Sequence, residues 1–405
     1  MSFSIKNFPK GAYIYLENSE PSPRSFYIIH QGQVELIREV IRVGVEQKKI
    51  LGKGDFFGVE TAMTGHKRME SAIALMPATL IEVPHDQFRT LITRSTPLAM
   101  KIIRSFSMKL REFDTAITNI SVEHLNLEED PSHLFDLGKE WFKSQRFEHA
   151  AYAFQKYLQY CPKGTNVSQA KLYLQKMNKP LVPPKIQKQE INRFYAKGQI
   201  IFCENEPGDE LYIIKKGSVK ISKLISGKET ILAVLKTGDI FGEMALLDNR
   251  PRSATAIAAE DCELAAINRQ NFDKLVKEQP IMAERLITLL SERIWTAYRQ
   301  LANLTIEEPI GRLLDMLLIQ VEKEKVPISS KTTYNFGISG EDLLKMVGMD
   351  PLKHQEYLVE LTKKKYIELD QGVIKCKNLE ELEKEVAYYR NRSARKFKKQ
   401  QRQFA

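Results

Sequence analysis

This chain has few of the residues that build covalent or metal frameworks. Its 405 residues include only four cysteines, Cys161, Cys203, Cys262 and Cys376. They lie far apart, with neither metal-ligand spacing nor a disulfide pattern, which points to a reducing compartment. Seven histidines form no metal or triad pattern. There is no nucleophile elbow and no Walker loop, so no catalytic residue and no metal site is expected. No apolar run reaches the ~18 residues of a membrane helix. The N-terminal stretch MSFSIKNFPKGAYIYLE lacks the apolar core of a signal peptide. A cytoplasmic protein without enzymatic activity and away from membranes is the expectation. Acid is scarcer than base, 51 residues against 61, and the net charge of +10 permits a polyanionic partner such as nucleic acid.

What the chain does have is internal repetition. KGAYIYLEN at Lys10 returns as KGQIIFCEN at Lys197, and SFYIIHQGQVELI at Ser25 returns as ELYIIKKGSVKIS at Glu210. LGKGDFFG at Leu51 returns as LKTGDIFG at Leu235, so the offset drifts only from 187 (Lys10 to Lys197) to 184 (Leu51 to Leu235). One fold is used twice. Short β-rich runs broken by glycine or charged turns predict a β-roll or jelly roll in each copy. Each copy ends in a single apolar helical stripe, Leu98 to Ile117 in the first and Leu286 to Leu304 in the second, suited to pairing helices side by side.

Between the copies, LGKEWFKSQRFEHAAYAFQKYLQYCP resembles one tetratricopeptide repeat, with Leu137, Gly138, Trp141, Ala150, Phe154 and Pro162 on that repeat's spacing. NVSQAKLYLQKM reads as the first helix of an incomplete second unit. The insert is expected to be a helical spacer with room for a protein partner, and the prolines of PLVPPK, Pro180–Lys185, mark a linker. Further on, EEPIGRLLDMLLIQVEKEK is an amphipathic helix, and Ser339 followed by two acids marks a helix start. Two short helices follow, then a hairpin centred on Asp370-Gln371-Gly372, which together make a winged helix-turn-helix pattern. The second of those helices is expected to begin near Pro351, a residue tolerated at a helix's first position. The tail YYRNRSARKFKKQQRQFA has seven basic residues and no acid. It reads as a solvated end or as a grip on phosphates. The predicted class is multidomain α+β: a degenerate sensor (1–120), helical insert and linker (121–182), second sensor with a long helix (183–305), winged helix (306–385) and basic tail (386–405).

The stretch from Phe241 to Ala254, FGEMALLDNRPRSA, carries the chemistry. Gly242 allows close approach of backbone to a ligand. A helix start beyond it offers unpaired N–H groups to a phosphate. Arg252, on the next strand, adds a planar fork of donors, and Glu243 remains as an acceptor for hydroxyls. A phosphate and a hydroxyl side by side describe a cyclic ribose phosphate.

These residues resemble the phosphate-binding cassette of cyclic nucleotide-binding domains. The second copy, its long helix and the winged helix together resemble the catabolite activator/FNR family of transcription regulators. The resemblance implies that Glu243 holds the ribose hydroxyl, that Arg252 and Ser253 hold the cyclic phosphate, and that the backbone at Gly242, Met244 and Ala245 assists. It implies cyclic AMP or cyclic GMP as ligand, with Thr288, Leu289 and Ser291 as base-contact candidates. It also implies duplex DNA as partner, with Lys353, His354, Gln355, Lys363, Lys364 and Lys365 as contact candidates, and a homodimer. The alternative is a cytoplasmic nucleotide sensor that acts through protein contacts alone. The first copy reads FGVETAMTGHKRMESA. Set against the second, Val59 is expected in place of the ribose-binding glutamate and Glu70 in place of the arginine. That copy is therefore expected to bind nothing unless a slipped loop brings Glu60 and Arg68 into play.

Overall fold

A computed structural model describes residues 3–38, 45–121, 130–181, 191–225 and 228–403. They resolve into two compact units. One comprises Met1–His85, Glu112–Glu123 and Ser291–Ala405, the other Asp86–Arg111 and His124–Leu290. Each unit contains one β-roll.

The first roll runs β1 (Ser4–Phe8), β2 (Tyr13–Tyr15), β3 (Ser25–Gln31), β4 (Val34–Ile37), β5 (Lys48–Leu51), β6 (Phe56–Phe57), helix α1 (Val59–Thr64), β7 (Ser71–Ala74) and β8 (Ala78–Pro84). Its two sheets have the orders β1-β8-β3-β6 and β2-β7-β4-β5. Alternation builds the core: in β4, Val34 and Leu36 are buried while Glu35 and Ile37 are less so. Ile29, Phe57, Ala72 and Leu80 close the same core. Helices α2 (Phe88–Arg94) and α3 (Thr96–Ser121) follow.

The insert comprises α4 (Leu134–Lys143), α5 (Phe147–Tyr160) and α6 (Val167–Lys176). Gly138 lets α4 and α5 meet closely, since a Cβ there would stand 2.7 Å from the Phe154 ring. Trp141, Ala150, Phe154 and Leu174 share one core with Ile200, Cys203 and Ile257. The expected spacer is therefore docked on the second roll. The expected linker Pro180–Lys185 lies mostly outside the described residues.

The second roll runs β9 (Asn192–Tyr195), β10 (Ile200–Phe202), β11 (Glu210–Lys216), β12 (Val219–Ile225), β13 (Lys228–Leu235), β14 (Ile240–Phe241), α7 (Glu243–Asp248), β15 (Thr255–Ala258) and β16 (Cys262–Asn268). Its sheets, β9-β16-β11-β14 and β10-β15-β12-β13, repeat the first roll strand for strand. Helices α8 (Arg269–Glu278) and α9 (Pro280–Leu304) follow, and Arg285 ties α9 to the roll through the Gly238 carbonyl at 3.1 Å.

The C-terminal region comprises α10 (Pro309–Lys323), β17 (Tyr334–Ser339), α11 (Gly340–Met346), α12 (Gln355–Thr362), β18 (Ile367–Asp370), β19 (Val373–Cys376) and α13 (Leu379–Gln403). The strands pair in the order β17-β19-β18. Ser339 caps α11, with Asp342 reaching back in a capping box. Gln371 and Gly372 turn the β18–β19 hairpin with positive φ, as their sequence requires.

Two expectations fail here. Helix α12 begins at Gln355, not near Pro351. The Asp350 side chain accepts the Leu352 N–H at 3.1 Å, and its carbonyl accepts those of Lys353 and His354, both at 3.1 Å, closing a turn that delays the helix. The basic tail is not a loose end either, because it continues α13. Leu379, Leu382, Val386 and Tyr389 share a core with α10, the first three fully buried, and the buried Ser393 on the same stripe accepts the Glu307 N–H just before α10. Dense charge on the other positions hid that stripe in the sequence.

Candidate functional site

Both rolls carry the same small device. β6 and β14 each lead into a glycine in left-handed backbone, Gly58 and Gly242, with φ +76° in both. A six-residue helix starts directly after it. An arginine then returns to the glycine: Arg252 Nη1 donates to the Gly242 carbonyl at 2.6 Å, and Arg68 Nη1 donates to the Gly58 carbonyl at 3.2 Å. A Cβ on either glycine would stand 2.7 Å from that Nη1, so conformation and packing both demand glycine. A ring lies against each guanidinium, Phe202 at 4.2 Å and Tyr15 at 4.3 Å.

In the second roll the device is arranged to receive an anion. Glu243 opens α7 and is 1% exposed, and Arg252 is 4% exposed. Gly242 brings no capping side chain to α7, and the start of that helix stands beside the arginine. Met244 and Ala245 are buried, and the Ser253 hydroxyl has the weak Met244 sulfur as its acceptor, at 3.7 Å. A row of backbone donors, a guanidinium, a hydroxyl and a carboxylate acceptor within one turn match a phosphate carrying a neighbouring hydroxyl.

Residues far away in sequence hold the arginine in place. The Arg252 N–H donates to the Glu206 carbonyl at 2.8 Å. The Glu206 carboxylate accepts from the Tyr152 hydroxyl at 3.1 Å and lies 2.6 Å from the Lys156 ammonium, both on α5. Burial alone would lower the Lys156 pKa, but Glu206 outweighs it and raises it. Arg111 on α3 donates Nη1 and Nη2 to the Pro251 carbonyl at 3.3 and 3.2 Å. Nothing in the local sequence marked Tyr152, Lys156, Glu206 or Arg111. Phe202 was readable, because it aligns with Tyr15 in the repeat.

The first roll corrects one expectation. Arg68, not Glu70, occupies the place of Arg252. Glu70 is buried and accepts from Arg38 Nε at 3.1 Å. The loop has not slipped: Gly58 fixes the count, which also puts Val59 where Glu243 stands and Met69 where Ser253 stands. Arg68 is spent on the protein itself, with Nη1 on Gly58 and on Thr61 Oγ1 at 2.7 Å and Nη2 on the Ser25 carbonyl at 2.8 Å. The second roll has Ala245 where Thr61 stands.

Residues 5–95 and 192–279 match the family described as cyclic nucleotide-binding domain. The cyclic AMP receptor protein of Thermus thermophilus is 32% identical over 197 residues, which is 48% of this chain and 88% of that protein. The CRP-like cAMP-activated global transcriptional regulator of Mycobacterium tuberculosis is 25% identical, over 44% of this chain and 79% of that one. The chain belongs to the CRP/FNR family of regulators. A solved structure of a CooA mutant from Carboxydothermus hydrogenoformans covers 48% of this family member and 86% of its own chain, at 21% identity and a TM-score of 0.41.

This CRP/FNR chain thus carries two cyclic nucleotide-binding domains, only the second with the full set of cassette side chains. The other expected residues scatter. On α9, the Thr288 hydroxyl donates to the Glu284 carbonyl at 2.9 Å, Leu289 is half-buried and Ser291 is fully buried. Lys353 is exposed in the turn before α12. His354 Nδ1 lies 3.0 Å from the Asp350 carbonyl, and Gln355 opens the helix, exposed. Lys363 and Lys365 are exposed, but Lys364 is ion-paired with Glu385 on α13. Among the described residues no helix is long and apolar enough to cross a membrane, and no cluster of metal-binding side chains occurs.

Proposed function

We propose that this chain is a cyclic-nucleotide-responsive regulator of transcription whose ligand, cyclic AMP ahead of cyclic GMP, binds the second roll. The cradle of Gly242, Glu243 and Arg252 carries this reading, on a chain similar to a cyclic AMP receptor protein. Glu243 takes the ribose hydroxyl, Arg252 and Ser253 take the phosphate, and Thr288, Leu289 and Ser291 face the base. The first roll is a structural partner without ligand, because Val59 cannot accept a hydrogen bond and Arg68 already serves three oxygens. Helices α11 and α12 with the β18–β19 hairpin act as a cytoplasmic winged helix-turn-helix on duplex DNA. Lys353, His354, Gln355, Lys363 and Lys365 supply the contacts, in a homodimer, and the tetratricopeptide-like insert is free to take a protein partner. Calorimetric titration of the full chain with cyclic AMP and cyclic GMP tests the reading. One site per chain supports it, and no binding overturns it.

A second reading, regulation by protein contact without DNA, is favoured by α12 itself. Its exposed positions include Glu356, Val359 and Glu360, and Leu352 just before it is 88% exposed. Carboxylates and apolar side chains suit a protein surface better than a phosphate backbone. Fluorescence anisotropy on labelled duplex DNA with saturating nucleotide separates the two. Salt-sensitive binding supports transcription, and none at low salt transfers α12 to a protein partner.

A further inference from the structure

Each roll shares its compact unit with part of the other roll's long helix. The unit of the second roll takes in Asp86–Arg111, which carries α2 and the first half of α3. The unit of the first roll takes in the second half of α9, from Ser291. In both units the foreign helix rests on the cassette loop. Arg111 of α3 is 4% exposed and donates to the Pro251 carbonyl, next to Arg252. Trp295 of α9 is equally buried and stacks on His66, with ring centroids 3.8 Å apart and planes 11° from parallel. His66 Nε2 also lies 2.7 Å from the Glu292 carboxylate of α9.

The two contacts are counterparts. The repeat offset of 184 that carries Leu51 to Leu235 also carries Arg111 to Trp295 and His66 to Arg250. One position on each helix therefore meets one loop of the opposite roll. The side chains differ, a guanidinium on a carbonyl in one place and an indole on an imidazole in the other, so each helix fits the opposite roll in particular. In a symmetric pair of copies joined through α9, Trp295 would meet the Arg250 loop, and the Pro251 carbonyl would lose its arginine donors. The apolar stripes are also covered already. Phe106 and Leu110 on α3, and Leu290 and Ile294 on α9, are at most 2% exposed within one chain. A second copy would gain no apolar burial from them.

We propose that one chain is a complete sensor pair. The ligand-free first roll supplies α3 to the second cassette, in the place that the long helix of a second copy would take. Two copies that meet on DNA join outside α3 and α9.

The test uses Arg89 on α2, 56% exposed at its side chain and ion-paired with Glu284 on α9. The full chain with Arg89→Cys and Glu284→Cys is treated with bismaleimidoethane, the single variants serving as controls. Peptide mapping and intact mass should show a link between positions 89 and 284 at the mass of one chain. A link at the mass of two chains, or none between these positions, overturns the proposal. Trp295→Leu gives a second measurement, by hydrogen exchange. A change on the second sensor's helix should speed exchange about threefold or more at residues 64–68 of the first roll, the loss expected for one ring pair, and leave residues 249–254 unchanged. Unchanged exchange at 64–68 overturns the proposal as well. Both measurements are made without nucleotide, so their failure is separate from failure of the nucleotide reading.

Discussion

Arg252→Lys separates a cradle that holds phosphate from one that merely packs. The guanidinium makes its 2.6 Å bond to the Gly242 carbonyl with Nη1, which leaves its other N–H groups for a ligand. Lysine keeps the charge but offers one compact ammonium. Reaching the phosphate means leaving Gly242, and staying on Gly242 leaves the phosphate. One charge-assisted bond is lost either way, about 1.5–3 kcal/mol, or roughly 10- to 150-fold in Kd. The stacking on Phe202 at 4.2 Å is present with and without nucleotide, so it affects stability more than affinity. Titration calorimetry with cyclic AMP, alongside thermal melting, reads both. An affinity within threefold of the parent at an unchanged melting temperature would refute the assignment.

Four further outcomes follow from named contacts. Val59→Glu, which restores the missing acceptor in the first roll, should still give one nucleotide per chain by calorimetry, because Gly58, Thr61 and Ser25 occupy Arg68. Lys156→Met should weaken nucleotide binding several-fold, as Glu206 loses its ion pair and the Arg252 backbone its support. Burial works against the Glu292 carboxylate, yet His66 and Lys325 outweigh it and hold its pKa below 4.5. Its stabilising contribution is therefore full above pH 4.5 and lost as pH falls through the lowered folded value, so Glu292→Gln should flatten acid unfolding curves in that range. Asp315→Ala should cost about 1.5–3 kcal/mol in denaturant unfolding, since it removes the buried acceptor of Asn303 and Arg390 while Arg299 keeps Glu322.

How far the sequence could be read depended on the range of the interaction. The repeat was legible because turn glycines and two-residue alternation are local signals, and both rolls came out with one strand order. The Ser339 cap and the Gln371-Gly372 turn were legible for the same reason. The first cassette was misread because Glu70 was counted into the site. A local count excludes it, since Arg68 stands as far after Gly58 as Arg252 after Gly242; what the sequence hid is where Glu70 goes, to Arg38 32 residues away. The supports of Arg252 were invisible on the same ground, since Lys156 and Arg111 reach the cassette from other helices. On α13 a local signal existed, a stripe from Leu379 to Ser393, but dense basic charge argued for solvent and prevailed.

The path from sensor helix to C-terminal region is constrained by one buried carboxylate. Asp315 on α10 is 1% exposed. It accepts from Asn303 Nδ2 at 2.9 Å on α9 and from Arg390 Nε at 2.8 Å on α13, and Arg299 lies 3.5 Å away. Arg299 also bridges to Glu322 at 3.0 Å. Sliding α9 past α10 would break the Asn303 bond and the Arg299 pair while Arg390 on α13 stays with Asp315, a cost of about 1.5–3 kcal/mol. That is of the same order as the 1–3 kcal/mol usual for coupling between sites. Asp315 thus holds α13 through two guanidinium bonds and the end of α9 through one amide bond and a longer ion pair.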